Sequence, residues 1–135
     1  MLEQNKATAK RYIIELWEKG NLDIIEEVFT PNFKGHLFSP SEGFAGIREN
    51  VSHFLNAFTS GVIKIDDLFG EGDKIILRWR YEAVHTGSFK NIPPTGKNVV
   101  ISGMTIERFE EGKIAELWAQ IDIFDLLKQL DVIKD

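Results

Sequence analysis

Residues 85–122, HTGSFKNIPPTGKNVVISGMTIERFEEGKIAELWAQID, decide the fold. His85 closes one strand, the Pro93-Pro94 pair stiffens a crossover, and residues 98–109 and 113–121 read as a hairpin around Glu110-Glu111-Gly112. Side chains alternate along a strand, so Glu116, Trp118, Gln120 and Asp122 share one face of the last strand. Carboxylates, an amide and a tryptophan are poor core material. They suit the wall of a cavity that binds something apolar and acts on it with one carboxylate, and this face is expected to look into such a cavity. Alternation alone leaves open the register of the hairpin, which depends on the length of its connection.

Upstream, Ala9, Tyr12, Ile13, Leu16 and Trp17 fall three and four apart, one stripe of an amphipathic helix over residues 3–19 that Gly20 stops. Asn21 can cap a second short helix to Val28, before Pro31. Residues 32–37 form a short extended piece and residues 39–46 a polar Gly/Pro loop. A third helix follows, with Ile47, Val51, Phe54, Leu55 and Phe58 on one face. Strands are then expected over residues 62–69 and 74–86, turning at Gly70-Glu71-Gly72-Asp73, and a short helix over residues 124–130 closes the chain. This order gives α+β: a curved antiparallel sheet with helices on its concave face.

At 135 residues the chain is expected to be a single domain, 1–135, burying roughly two-thirds of its unfolded surface. There is no cysteine, so disulfides and thiolate chemistry are excluded. A net charge of −5 argues against nucleic acid. No apolar run approaches the ~20 residues that span a bilayer, and the opening MLEQNKATAK is not a secretory signal, so no membrane association and a cytoplasmic location are expected. Asn50-Val51-Ser52 matches a glycosylation acceptor by chance. There is no HExxH or comparable histidine pair for a metal, no G-x-S-x-G elbow and no G-x-G-x-x-G. Thr95-Gly96-Lys97 fails as a P-loop, because Asn91 stands where its first glycine belongs and Asn98 where its Ser/Thr belongs. The remaining chemistry is proton transfer by carboxylate and histidine, with neither metal nor cofactor expected.

The motifs HTG-x-F-x-x-IPPTGK at residues 85–97, G-x-x-I-x-R-F-x-x-GKI-x-E-x-W-x-x-x-D at 103–122 and LLKQL at 126–130 resemble the SnoaL-like polyketide cyclases, or ester cyclases. Weaker agreement reaches back to Phe33, His36, Gly43 and Gly46. The family usually has Gly-Thr before His-Thr-Gly, whereas this chain has Ala83-Val84, a departure that bears on pocket shape. The resemblance implies the cone of nuclear-transport-factor-2-like and cystatin-like folds, with a pocket between sheet and helices. It also implies that Asp122, at the W-x-x-x-D position, is the acid/base. A carboxylate beside an indole in a partly apolar pocket has its charged form disfavoured, which suits that task. The plainer reading of Asp122 is a cap on the closing helix.

Substrate contacts are expected from His36, Trp79, Tyr81, His85, Trp118 and Gln120. Trp118 is pocket wall or simply core, and Glu116 is a solvated rim residue. Either Trp79, Tyr81, Ala83 and His85 or the opposite set, Arg78, Arg80, Glu82 and Val84, looks inward. His85 either touches ligand or bonds to the Pro93-Pro94 loop; His36 sits at the pocket mouth, where it can bind a carbonyl; His53 is solvated. The function expected is a cofactor-free cyclase or isomerase acting on a small apolar, polyketide-like carbonyl compound. Asp122 would move a proton α to the carbonyl in an intramolecular aldol closure, with His36 or Gln120 stabilising the enolate. The alternatives are a non-catalytic small-ligand-binding protein of the same fold and an assembly subunit with a vestigial pocket. With the polar face turned inward, Ala115, Leu117, Ala119 and Ile121 would lie outside and be covered in a homodimer.

Overall fold

The first helix, α1 (Leu2–Tyr12), passes without a break into a π-helical turn, Ile13–Glu18, which ends at Gly20 with φ +68°. A π turn closes i→i+5 hydrogen bonds, so residues five apart come nearly into line. Trp17 Nε1 accordingly donates to the Tyr12 hydroxyl at 2.6 Å. Asn21 caps a 3₁₀ turn, Leu22–Ile24, by accepting the Asp23 amide, and α2 (Ile25–Val28) follows. The computed structural model describes residues 1–134.

Strand β1 (Phe29–His36) and the short β2 (Pro40–Glu42) precede α3 (Gly43–Ala57), which starts and ends earlier than its apolar pattern suggests. Phe58 is the first residue of β3 (Phe58–Glu71), where it pairs with His85; Thr59 and a left-handed Ser60 follow. Strands β4 (Lys74–His85), β5 (Asn98–Glu110) and β6 (Lys113–Ile121) complete a six-stranded curved sheet in the order β2-β1-β6-β5-β4-β3. The long strands β3 to β6 are antiparallel neighbours, as expected. The exception is β1, which joins β6 in parallel, Gly35 opposite Leu117 and His36 opposite Trp118. Parallel pairing needs a long crossover, which the intervening elements supply.

The hairpin turns at Glu111 and Gly112, both with positive φ, as a two-residue turn requires. A bulge beside Arg108 and Phe109 then resets the register, so Glu116 opposes Arg108 and Leu117 opposes Glu107. This register settles which face is inside, and it reverses the expectation for β6. Leu117 is fully buried, and Ala119 and Ile121 face the helices. Glu116, Trp118 and Gln120 lie on the outer face, beside Arg108, Ile106 and Met104 of β5. On β4 the inward set is Ile75, Leu77, Trp79, Tyr81, Ala83 and His85.

After β6, Asp122 accepts the Asp125 amide and opens α4 (Ile123–Gln129). Gln129 bonds both the N–H and C=O of Val100 at 2.8 Å, standing in for the strand that β5 lacks beyond the end of β6. Among the described residues, no helix is long and apolar enough to cross a membrane.

Candidate functional site

Two neighbouring spaces, sharing Phe38 and Phe54 as lining, lie on the helix side of the sheet. The deeper is a narrow apolar slot of about 30 Å³, walled by Tyr12, Ile13 and Trp17 of the first helix and by Trp79, Tyr81, Thr105, Ala119 and Ile121 of the sheet. Two glycines let its aromatic walls lie flat. A Cβ on Gly103 would stand 2.7 Å from the Trp79 indole, and one on Gly61 would overlap the Tyr81 ring. With Phe38 and Phe54 closed on each other the slot holds about one water, so part of a substrate enters it only when these two rings part.

Above it, a vestibule of about 530 Å³ opens between the β1–β2 loop, α3 and the Ser88–Lys90 segment, with Glu42, Glu49, Asn50 and His53 on its polar side. Such a volume suits a small organic ligand. Phe38 and Phe54 line both spaces and stack on each other at 5.4 Å, while Phe38 meets Phe89 edge-on. Separating Phe38 from Phe54 would join slot and vestibule into one site.

The slot is apolar but not featureless. Trp79 Nε1 is buried without a hydrogen-bond partner. Tyr12 accepts from Trp17 and keeps its own O–H free to donate; burial, then the nearby Glu107 charge, hold its phenol well above the usual range. Burial and the Glu18 carboxylate push Tyr81 up to about 12. Thr105 donates its hydroxyl to Glu107 Oε2 at 3.2 Å. Glu107 stands behind Thr105, wholly buried, with Oε1 unpartnered. Burial pushes its carboxyl up to about 8, against the pull of the Thr105 bond.

Of the residues singled out from sequence, Trp79 and Tyr81 stand in the slot wall. His85 is buried, but Nδ1 accepts the Thr95 amide at 3.2 Å and lies 3.0 Å from the Thr95 hydroxyl, while its ring leans on Phe58. It anchors the residue after Pro93-Pro94 and lines neither space.

His36, Trp118, Gln120 and Asp122 are on the outer face, contrary to the expected facing, because the alternate set Leu117, Ala119 and Ile121 packs inward. His36 stacks on Trp118 (5.7 Å, 16° between planes), and its Nε2 lies 2.9 Å from Glu116 Oε2. The bond from His36, helped by Arg108, holds the Glu116 carboxyl below the usual carboxylate range. Asp122 is exposed, caps α4 and borders a shallow groove with Arg78, Met104 and Gln120. Among the described residues, no group of three or more His, Asp or Glu is placed to hold a metal.

Tyr12, Trp17, Thr105 and Glu107 were not foreseen as site residues. A signal for Glu107 was present: it is the one carboxylate in the inward series Val99, Ile101, Gly103, Thr105, Glu107, Phe109.

The family model described as SnoaL-like polyketide cyclase matches residues 7–130. Among solved structures, the chain is similar to a candidate SnoaL-like polyketide cyclase from Jannaschia sp. CCS1 (22% identity, TM-score 0.90, covering 99% of this chain and 96% of the other). It is similar also to AclR, a candidate hydroxylase from Streptomyces galilaeus (24%, 0.87, 100% and 89%). A third is IdmH, a candidate polyketide cyclase from Streptomyces antibioticus (22%, 0.81, 95% and 99%). No curated protein matches the chain. At these identities the likenesses show a shared fold.

Proposed function

The chain belongs to the SnoaL-like polyketide cyclase family, and from that premise we propose that it is a cyclase-type enzyme acting on a small, largely apolar carbonyl compound. The observation that carries this reading is the apolar slot beneath a roomy vestibule, inside the cone and walled by Trp79 and Tyr81. A substrate would enter the vestibule, part Phe38 from Phe54 and seat a flat apolar end against the indole. A dry, shaped site of this kind folds a flexible chain into reactive geometry, the entropic part of a ring closure. The unpartnered Trp79 N–H supplies a donor for a carbonyl or enolate oxygen.

The resemblance implies an acid/base at Asp122. That carboxylate caps α4 outside the slot, so the proposal rests on the slot's own groups. Trp118, His36 and Gln120 are given no substrate contact, for the same reason. On the outer face, Met104 and Ile106 are exposed beside a half-buried Trp118. An apolar patch of this kind favours a cover, and the proposal includes a homodimer through this face, with these residues in place of the Leu117 set.

The test uses acetonylacetone, a linear diketone that closes by intramolecular aldol condensation to methylcyclopentenone with loss of water. The expected result is faster closure than with heat-denatured protein, and slower closure in Trp79→Phe, which keeps an aromatic wall and removes the donor. Binding without faster closure, for this and longer diketones, would replace the enzyme by a ligand-binding protein.

A further inference from the structure

We propose that Thr105 and Glu107 form the proton-transferring pair of the slot, with the Thr105 hydroxyl touching the substrate and Glu107 acting through it as proton acceptor and store. The inference rests on the reading of the slot as the substrate site. Its geometric basis is a single hydrogen bond in an otherwise apolar place. Thr105 is part of the slot wall, and its Oγ1 donates to Glu107 Oε2 at 3.2 Å. The carboxyl is cut off from solvent, and Oε1 has no partner at all. A buried carboxyl with half its bonding capacity unused costs stability, and such groups persist where function needs them.

The surroundings keep the pair isolated. Glu107 lies opposite Ile75 on β4 and Leu117 on β6, both fully buried and apolar. The titratable group facing it is Tyr12 of α1, whose phenol stays protonated near neutrality. Glu107 is therefore held near the edge of ionisation, where an acid/base is most useful, and its raised affinity for a proton matches that task.

The step balances without a co-reactant. As ionised Glu107 takes the proton of the Thr105 hydroxyl, Oγ1 takes a proton from the substrate carbon next to the carbonyl. The C–H electron pair becomes the enolate, its oxygen facing the Trp79 N–H. When the enolate carbon attacks a second carbonyl, the new alkoxide recovers a proton from Thr105, which recovers its own from Glu107. The same pair serves first as base and then as acid. The ligand class follows: a flat apolar compound with an acidic hydrogen beside its carbonyl.

The test follows hydrogen–deuterium exchange at the α-carbons of β-tetralone by NMR, with quenching of tryptophan emission as the separate measure of binding. The wild-type protein should accelerate exchange, with a rate that rises with pH to a midpoint near 8. Glu107→Gln should bind β-tetralone within a few-fold of wild type, lower the exchange rate about 100-fold and lose the pH midpoint. Thr105→Val should lose exchange similarly, and Thr105→Ser should restore it. Failure of β-tetralone to bind would overturn the slot as substrate site, and the pair with it. Binding with exchange that survives Glu107→Gln, or that is lost in Asp122→Asn instead, would overturn the pair alone. Binding without any accelerated exchange would overturn it too.

Discussion

Burying Glu107 should make folding stability depend on pH in a direction opposite to that of most proteins with paired surface carboxylates. The carboxyl rises from its ordinary value of 4.5 to about 8 in the folded chain. Below 4.5 it carries its proton in both states and contributes no pH dependence. Between 4.5 and about 8 the unfolded chain ionises while the folded chain keeps the proton, so stability falls as pH rises. At about 1.4 kcal/mol per pH unit, the full loss is about 5 kcal/mol. That is a large share of the 5–15 kcal/mol that holds typical domains together. Asp66, lowered by its bond from Arg80, and Glu116, lowered chiefly by His36, act in the other sense. Their stabilisation is present above the ordinary carboxylate range and is lost as pH falls below it, and both pairs sit at the surface, where such contributions are small.

The assay is urea unfolding followed by tryptophan emission at several pH values between about 5 and 8, for wild type and Glu107→Gln. The amide keeps the shape and cannot ionise, so the difference between the two proteins isolates Glu107 from every other titrating group. The variant should gain on the wild type steadily as pH rises, by about 3 kcal/mol at neutrality. A difference that stays within about 1 kcal/mol across the range would mean that Glu107 ionises freely in the folded protein, through water or a movement of α1. The physical basis of the Thr105–Glu107 pair would then be gone.

Gly103→Ala should cost about 1–3 kcal/mol and alter the near-ultraviolet circular dichroism of Trp79, because the new methyl would stand 2.7 Å from its indole. For assembly, light scattering should give a dimer for wild type and a monomer for Ile106→Asp, which places a charge on the exposed outer patch. Leu117→Asp should fail to fold instead, since that side chain is fully buried among the inward residues. A wild-type mass of one chain at micromolar concentration would remove the dimer.

The elements of this fold were legible because its strands are long and its helices striped. Tyr12, Ile13, Leu16 and Trp17 recur at helical spacing, and Gly20 and Gly112 mark a helix end and a turn. What the spacing could not carry was the sense of the sheet. Alternation divides β6 into two sets but does not say which set faces the helices. That is decided by partners far away in sequence: His36, 80 residues before Glu116, and Arg108, across the hairpin, give Glu116 a reason to stay outside. A polar face can be stable either against water or against a ligand, and its composition alone does not separate the two.

The site was harder to read for a related reason. The β6 pattern suggests a cavity wall rich in polar groups, whereas this one is apolar with a few isolated ones. Trp79 and Tyr81 could be anticipated as wall because they are large and share a face. Tyr12 and Trp17 looked like ordinary core, since nothing in their spacing announces the π turn that joins their polar ends. Glu107 was the misleading case: beside Arg108, Glu110 and Glu111 it looks like one more charge of a solvated hairpin. Its neighbours two residues away in each direction, Thr105 and Phe109, are the ones that share its face, and both are buried. On a strand, the environment of a charge is set by residues i−2 and i+2, and by that rule an inward carboxylate on β5 was the anomaly to explain. Buried in the middle of a sheet with one hydroxyl for company, it is costly to the fold, and that cost is what its place behind the Thr105 wall of the slot has to offset.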